Sequence, residues 1–172
     1  MQPPTLPAPD DADVRFALRA HTEDDVDAVV DLCQDPLMAE RTRVPQPYTR
    51  EHADQFVRGT AERWADGSEL VLAIEAEDAG AAGALRYAGN IALRPHEGGA
   101  VEAGYALSPW ARGRGLMSDA LRTALRWSFD ELDAHVAHWQ AHVDNWPSRR
   151  VAWACGFRVE GTVRLEGVQR GV

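Results

Sequence analysis

The spacing of apolar residues in the first part of the chain predicts a strand followed by two helices. Residues 14–20 alternate between apolar and polar side chains, which is typical of a half-buried strand. A capping-box pattern that starts at Thr22 precedes apolar residues at helical spacing, and Pro36 is expected to end that helix. Thr49 is placed to cap a second helix, which we expect to end near Gly67.

The rest of the chain alternates strands and helices in an order that fits one domain. The predicted elements are strands over residues 69–76, 84–95 and 100–109, a long helix to about Asp130, a strand over 135–143, a short helix over 147–155 and a last strand over 157–165. This order predicts an α/β or α+β fold with a mixed sheet. The domain is expected to span residues 14–172, after a disordered leader rich in Pro and Asp over residues 1–13.

Composition narrows the classes of function. The chain of 172 residues carries 27 acidic and 18 basic residues, and its net charge of −9 disfavours nucleic acid or an anionic membrane as a partner. Two cysteines, no long apolar span and no signal-peptide pattern predict a cytoplasmic protein. All 18 basic residues are arginine, so the lysine of a Walker A loop or of a pyridoxal phosphate enzyme is absent.

The stretch SPWARGRGLMSDAL, residues 108–121, places two glycines and two arginines where a helix begins. The first N–H groups of a helix have no partner within it, and glycine lets backbone approach a ligand closely. The stretch therefore predicts an anion site, with phosphate as the expected anion. Two alternatives remain: the glycines serve only a turn, or they belong to a Rossmann motif, which Ser118 at the third glycine position disfavours.

Two blocks of the sequence together resemble the GCN5-related N-acetyltransferases. The first matches the family's pyrophosphate loop, (Q/R)-x-x-G-x-(G/A), over residues 112–117, with Met117 in place of the usual small residue. Methionine at this position and the second block, VDNWPSRRVAWACGFRVEG, are similar to the RimJ/RimL-like branch, which acetylates the N-termini of ribosomal proteins. The second block matches through Asn145, Ser148, Gly156, Phe157, Glu160 and Gly161. The resemblance covers roughly residues 14–165.

The resemblance implies a splayed sheet with acetyl-CoA bound in its cleft. Pantetheine would lie along the strand of Gly104–Leu107, opposite the strand of Val136–Val143, and the pyrophosphate would lie at the start of the following helix. The cofactor-binding residues implied are Ala106, Leu107, Arg112, Gly113, Arg114, Gly115, Leu116, Met117 and Asn145. The family usually has a further strand after the position of Leu165, which walls the acceptor side of the site. Two explanations for a missing strand are open: the chain is truncated, or another subunit supplies the wall.

The resemblance also implies roles in the chemistry. Ser148 is expected to protonate the departing thiolate, and the N–H near Leu107 to stabilise the oxyanion. Glu102 is the candidate base, and a primary amine is the acceptor, most readily a protein N-terminal α-amine, because its pKa of about 7.7–8.0 leaves more of it neutral at pH 7 than lysine. In the simpler interpretations, Ser148 only caps the helix and Glu102 is a solvated carboxylate.

The alternative functions are transfer from a longer acyl-CoA such as succinyl-CoA, transfer to a small amine, and non-catalytic sensing of an acyl-CoA. An oligomer is possible.

No metal site is predicted. His135, His138 and His142 would share one face of a helix. The apolar alternation of residues 137–143 instead indicates a strand, which separates His135 from the other two.

Overall fold

A computed structural model describes residues 1–78, 80 and 83–163 of the chain. Its strands form a mixed, curled sheet in the order β1-β2-β3-β4-β5-β6. The strands are β1 (Leu6–Pro7), β2 (Phe16–Arg19), β3 (Leu70–Glu77), β4 (Leu85–His96), β5 (Ala100–Leu107) and β6 (Val136–His138). Neighbouring strands are antiparallel except for β5 and β6, which are parallel.

In the described ranges, five α-helices flank the sheet and enclose a core on each face. They are α1 (Val26–Gln34), α2 (Pro36–Arg41), α3 (Arg50–Asp66), α4 (Leu116–Glu131) and α5 (Trp146–Ala154). Helices α1 and α3 pack Val29, Leu32 and Val57 against one face of the sheet. On the other face, the apolar stripe of α4 packs on β2, β4 and β5. Successive strand residues point to opposite sides, so each face of the sheet has its own set of core residues.

The predicted helix boundaries agree with the caps that the structure shows. Thr49 caps α3 by accepting a hydrogen bond from the His52 N–H, and Gly67 ends the helix with φ of 74°. Helix α4 ends at Glu131, one residue beyond the predicted Asp130. Together these elements form the single α/β domain that the sequence predicts. No helix in the described ranges is long and apolar enough to cross a membrane.

Two predictions in the N-terminal part differ from the structure. Leu6–Pro7, within the leader expected to be disordered, pair with Leu18 and Ala17 of β2. Helix α1 ends at Gln34, before Pro36 as expected, but a helix that the sequence did not predict follows at once: Pro36 begins α2, because proline is well suited to the first turn of a helix, where its missing N–H costs nothing.

The predicted strands after α4 are shorter than expected. The strand predicted over residues 135–143 is reduced to Val136–His138, because β6 pairs with β5 only over Ala100–Glu102 and then diverges from it. Residues 157–163 of the predicted last strand form no strand in the described part of the chain, and residues 164 and 165 lie outside it. A strand after Leu165 concerns residues that also lie outside the described ranges.

Candidate functional site

The divergence of β6 leaves one edge of β5 open. Beyond Glu102, no described strand pairs with this edge. Ser108 N–H donates to the Ala88 carbonyl at 2.8 Å across the β4–β5 ladder. Because the N–H groups of an antiparallel pair alternate in direction, those of Tyr105 and Leu107 point away from β4 and towards the open edge. The edge can therefore accept an extended ligand as an additional strand.

The open edge leads directly to the N-terminus of α4. Gly113 and Gly115 have φ of 77° and 76°, and a Cβ at either position would have no described atom within 4 Å. The glycines are therefore required by backbone conformation, and the space in front of them is open. No side chain caps α4 within the described residues. The N–H groups of Leu116 and Met117, in the first turn, are thus available to an anion.

A cavity of about 610 Å³ joins the β5 edge, this helix terminus and the start of α5. Its walls include every predicted cofactor-binding residue (Ala106, Leu107, Arg112, Gly113, Arg114, Gly115, Leu116, Met117 and Asn145) and also Ser148. Glu102 does not line the cavity. The structure thus brings together all but one of the predicted site residues.

The two arginines of the loop make intramolecular contacts. Arg112 donates from Nε and Nη2 to the Leu107 carbonyl at 3.0 and 2.8 Å, and it forms an ion pair with Asp35. Arg114 donates from Nη1 to the Glu77 carbonyl at 3.0 Å. These contacts anchor the loop between β5 and α4, while both side chains keep their positive charge at the cavity wall.

The start of α5 is held by a capping residue and by a tyrosine. The Asn145 Oδ1 accepts a hydrogen bond from the Ser148 N–H at 3.3 Å and so caps the helix. Tyr105 donates from its hydroxyl to the Ser148 carbonyl at 2.8 Å, and its ring stacks on Trp139 at 6.5 Å between centroids. Burial raises the pKa of Tyr105 to about 12, so the phenol stays protonated at neutral pH. The sequence did not single out Tyr105, and only its place on the strand beside Gly104 could have suggested it.

Glu102 lies at the start of β5, in a separate polar cluster. Its Oε1 accepts a hydrogen bond from Arg94 Nη1 at 2.9 Å. Its Oε2 lies 3.7 Å from His96 Nε2 and 3.9 Å from His138 Nε2. Since the strand rises by about 3.3 Å per residue, Glu102 lies about 7 Å along β5 from Gly104, which lines the cavity.

Helix α2 contributes a further wall of the cavity. Leu37 and Met38 line the cavity, and Arg41 Nη1 pairs with Asp144 Oδ1 at 2.5 Å, which connects α2 to the segment before α5. The sequence did not predict this wall, because no helix was expected to begin at the proline that ends α1.

The sequence of most of the chain matches a known protein family. Residues 15–158 match the family model described as the Acetyltransferase (GNAT) domain. No curated protein sequence matches the chain.

Three solved structures illustrate the fold. The microcin C7 self-immunity acetyltransferase MccE, in complex with acetyl-CoA and AMP, superposes with a TM-score of 0.81 at 18% identity, covering 91% of this chain and 86% of its own. The ribosomal L7/L12 α-N-protein acetyltransferase RimL, in complex with coenzyme A, gives 0.78 at 23% identity over 92% and 86%. The Vibrio cholerae spermidine N-acetyltransferase, with CoA and spermine, gives 0.67 at 22% identity over 85% and 82%. At these identities the likeness concerns the fold.

Proposed function

The chain belongs to the GNAT acetyltransferase family, and from that premise we propose that it transfers the acetyl group of acetyl-CoA to a protein N-terminal α-amine. The observation that carries this proposal is the continuous path from the open edge of β5 to the uncapped N-terminus of α4. The open edge of β5 suits the amides of a pantetheine arm, and the N-terminus of α4 suits the negative charge of a pyrophosphate.

The contacts along this path support acetyl-CoA as the donor. The outward N–H groups of Tyr105 and Leu107 are placed to pair with the amides of pantetheine. The N–H groups of Leu116 and Met117, with the helix dipole behind them, suit the pyrophosphate. The charges of Arg112 and Arg114 at the cavity wall add to this attraction.

The chemistry follows from the same geometry. The neutral amine nitrogen attacks the thioester carbonyl carbon, and the Leu107 N–H is the proposed donor to the resulting oxyanion. The C–S bond then breaks, and the thiolate takes a proton from the Ser148 hydroxyl, which regains one from water. The attacking nitrogen, which becomes positively charged when the N–C bond forms, gives its extra proton through intervening water to Glu102, which lies outside the cavity wall.

Several observations favour an α-amine as the acceptor. An α-amine loses its proton more readily than a lysine side chain, by about 2.5 pKa units, and so needs only a weak or distant base. The second sequence block resembles the branch that acetylates ribosomal proteins, and the fold is shared with RimL, described as an α-N-protein acetyltransferase. The two free cysteines, Cys33 and Cys155, are consistent with the reducing cytoplasm, where such N-termini are made.

A thermal shift with acetyl-CoA tests the donor. At a concentration 100-fold above Kd, the ligand should stabilise the fold by about 2.7 kcal/mol. Gly115→Val should abolish the shift, since φ of 76° strains a β-branched residue and its Cβ would stand where the pyrophosphate approaches. Gly98→Val is the matched control: it has the same strain, with φ of 77°, but lies in the exposed β4–β5 turn, so the shift should survive.

An acceptor panel tests the second half of the proposal. We expect mass spectrometry to detect product with lysine-free peptides that have a free N-terminus, and none when the N-terminus is blocked and only a lysine is offered. Acetylation of spermidine alone would replace the protein acceptor with a small polyamine, which the net charge of −9 would also attract. Binding of acetyl-CoA without product across the panel would indicate a sensor. Competition with succinyl-CoA identifies the preferred acyl donor.

A further inference from the structure

Three potential metal ligands meet on the last three strands of the sheet, outside the cavity. Glu102 of β5 is directly paired in register with Arg94 of β4 and with His138 of β6. His96 lies two residues beyond Arg94, so its side chain points to the same face of the sheet. The backbone register therefore brings two imidazoles and one carboxylate together.

The distances are close to those of a metal site. One ligand atom from each of His96, Glu102 and His138 lies within 4.8 Å of the others. The Glu102 Oε2 is 3.7 and 3.9 Å from the two Nε2 atoms, and the imidazole centroids are 5.1 Å apart. Zinc bonds of about 2.0–2.2 Å in a tetrahedral site place ligand atoms about 3.3–3.6 Å apart, so small side-chain rotations suffice.

The residues around the three ligands orient the Glu102 carboxylate and leave the two imidazoles accessible to solvent. Arg94 binds Oε1 of Glu102 and leaves Oε2 facing the imidazoles, the kind of outer contact that orients a ligating carboxylate. Arg94 also pairs with Glu69 at 2.7 Å, which offsets part of its positive charge. The side chains of His96 and His138 are 47% and 43% exposed, so an ion can reach them from solvent.

We propose that His96, Glu102 and His138 form a binding site for a divalent transition metal ion, with Zn²⁺ as the expected ion. Two imidazoles and one carboxylate suit Zn²⁺ rather than Mg²⁺ or Ca²⁺, which prefer oxygen ligands. Three protein ligands leave a fourth position for water. The site is separate from the acetyl-CoA cavity, apart from the role proposed for Glu102.

Titration of the chelator-treated, untagged protein with Zn²⁺, in the absence of acetyl-CoA, tests this site. Calorimetry should show one equivalent bound, and Co²⁺ should give the absorption bands of a low-coordinate site. His96→Ala and His138→Ala should each weaken binding about tenfold or more. The matched control, His135→Ala, removes an exposed histidine of the same region and should bind as the unaltered chain does. Absence of Zn²⁺ binding, or undiminished binding in the double variant His96→Ala/His138→Ala, would overturn the proposal.

A second arm depends on the proposed function. Zn²⁺ bound to Oε2 would occupy the carboxylate proposed as the base, so Zn²⁺ should lower kcat of the unaltered chain and spare the double variant. Because binding is measured without substrate, a failure of the acetylation assay leaves the binding result intact. Binding without any inhibition would retain the metal site and remove Glu102 from the reaction.

Discussion

Ser148 lies in the first turn of α5, where its backbone N–H and carbonyl are both hydrogen-bonded. The N–H donates to Asn145, which is the capping residue, and the carbonyl accepts from Tyr105. The hydroxyl is therefore not needed to cap the helix, which removes the simplest structural explanation for a serine here. Its position at the cavity wall supports the proposed role as the proton donor to the thiolate.

Replacing Ser148 by alanine should separate catalysis from binding. We expect kcat to fall by roughly 10²–10⁴-fold, the range for a positioned general acid, while the Kd of acetyl-CoA stays nearly unchanged. Ser118→Ala makes the same substitution on the α4 wall of the cavity and should leave kcat unaltered. Steady-state kinetics and calorimetry measure both quantities. A Ser148→Ala variant with full kcat would remove this residue from the mechanism.

Helices and strands with a regular apolar pattern were predictable from the sequence. Strands β3 to β5 and helices α3 and α4 follow their apolar periodicity, and Thr49 and Gly67 mark the ends of α3 as expected. The length of β6 was not predictable, since residues 137–143 alternate although only Val136–His138 pair with β5. Alternation reports which face of a strand is apolar, and it does not report where two strands separate.

The parts of the candidate site that are formed by residues close together in the sequence were predictable. The glycine loop and the Asn145–Ser148 turn are short motifs, and the family that they resemble is confirmed by the family model. The partners of these residues were not predictable. Arg112 contacts Asp35, 77 positions away, and Tyr105 contacts Ser148, 43 positions away. Such pairs depend on how elements pack, which no local pattern specifies.

The loop between β5 and α4 is anchored by Arg112, and substitutions can separate this role from a contribution of charge to acetyl-CoA binding. Arg112→Lys retains the charge but loses the planar fork that contacts the Leu107 carbonyl and Asp35. If anchoring dominates, Arg112→Lys should lose about 1.5–3 kcal/mol of unfolding free energy and weaken acetyl-CoA binding as much as Arg112→Ala does. Urea denaturation and calorimetry measure the two effects.

Asp35→Asn provides the control for that prediction. It removes the ion pair from the α2 side while leaving Arg112 and its charge in place. A loss of stability comparable to that of Arg112→Lys would support anchoring. If Arg112→Lys instead binds acetyl-CoA normally while Arg112→Ala does not, the side chain acts through its charge alone.

The stability of the whole domain should depend on pH through one histidine. His21 follows β2 and packs between Phe56 and Tyr87, with ring centroids 5.4 and 5.9 Å away. Within the described structure, neither ring nitrogen has a hydrogen-bond partner. Burial lowers the pKa of His21 from 6.5 to about 4; nearby Asp25 opposes this shift, while Arg19 and Arg63 add to it.

This shift sets the direction of the pH dependence. As the pH falls below about 6.5, the unfolded chain takes up a proton at His21 that the folded chain takes up only near pH 4, so unfolding is favoured. The free energy of unfolding should be fully maintained above pH 6.5 and should fall by up to about 3 kcal/mol as the pH approaches 4.

His21→Leu should flatten this dependence, because the side chain no longer titrates. The control variant His135→Ala removes an exposed histidine, and its unfolding free energy should depend on pH as that of the unaltered chain does. Urea denaturation at intervals between pH 7 and pH 4 measures the slopes, and equal slopes for His21→Leu and the unaltered chain would assign the acid sensitivity to other groups.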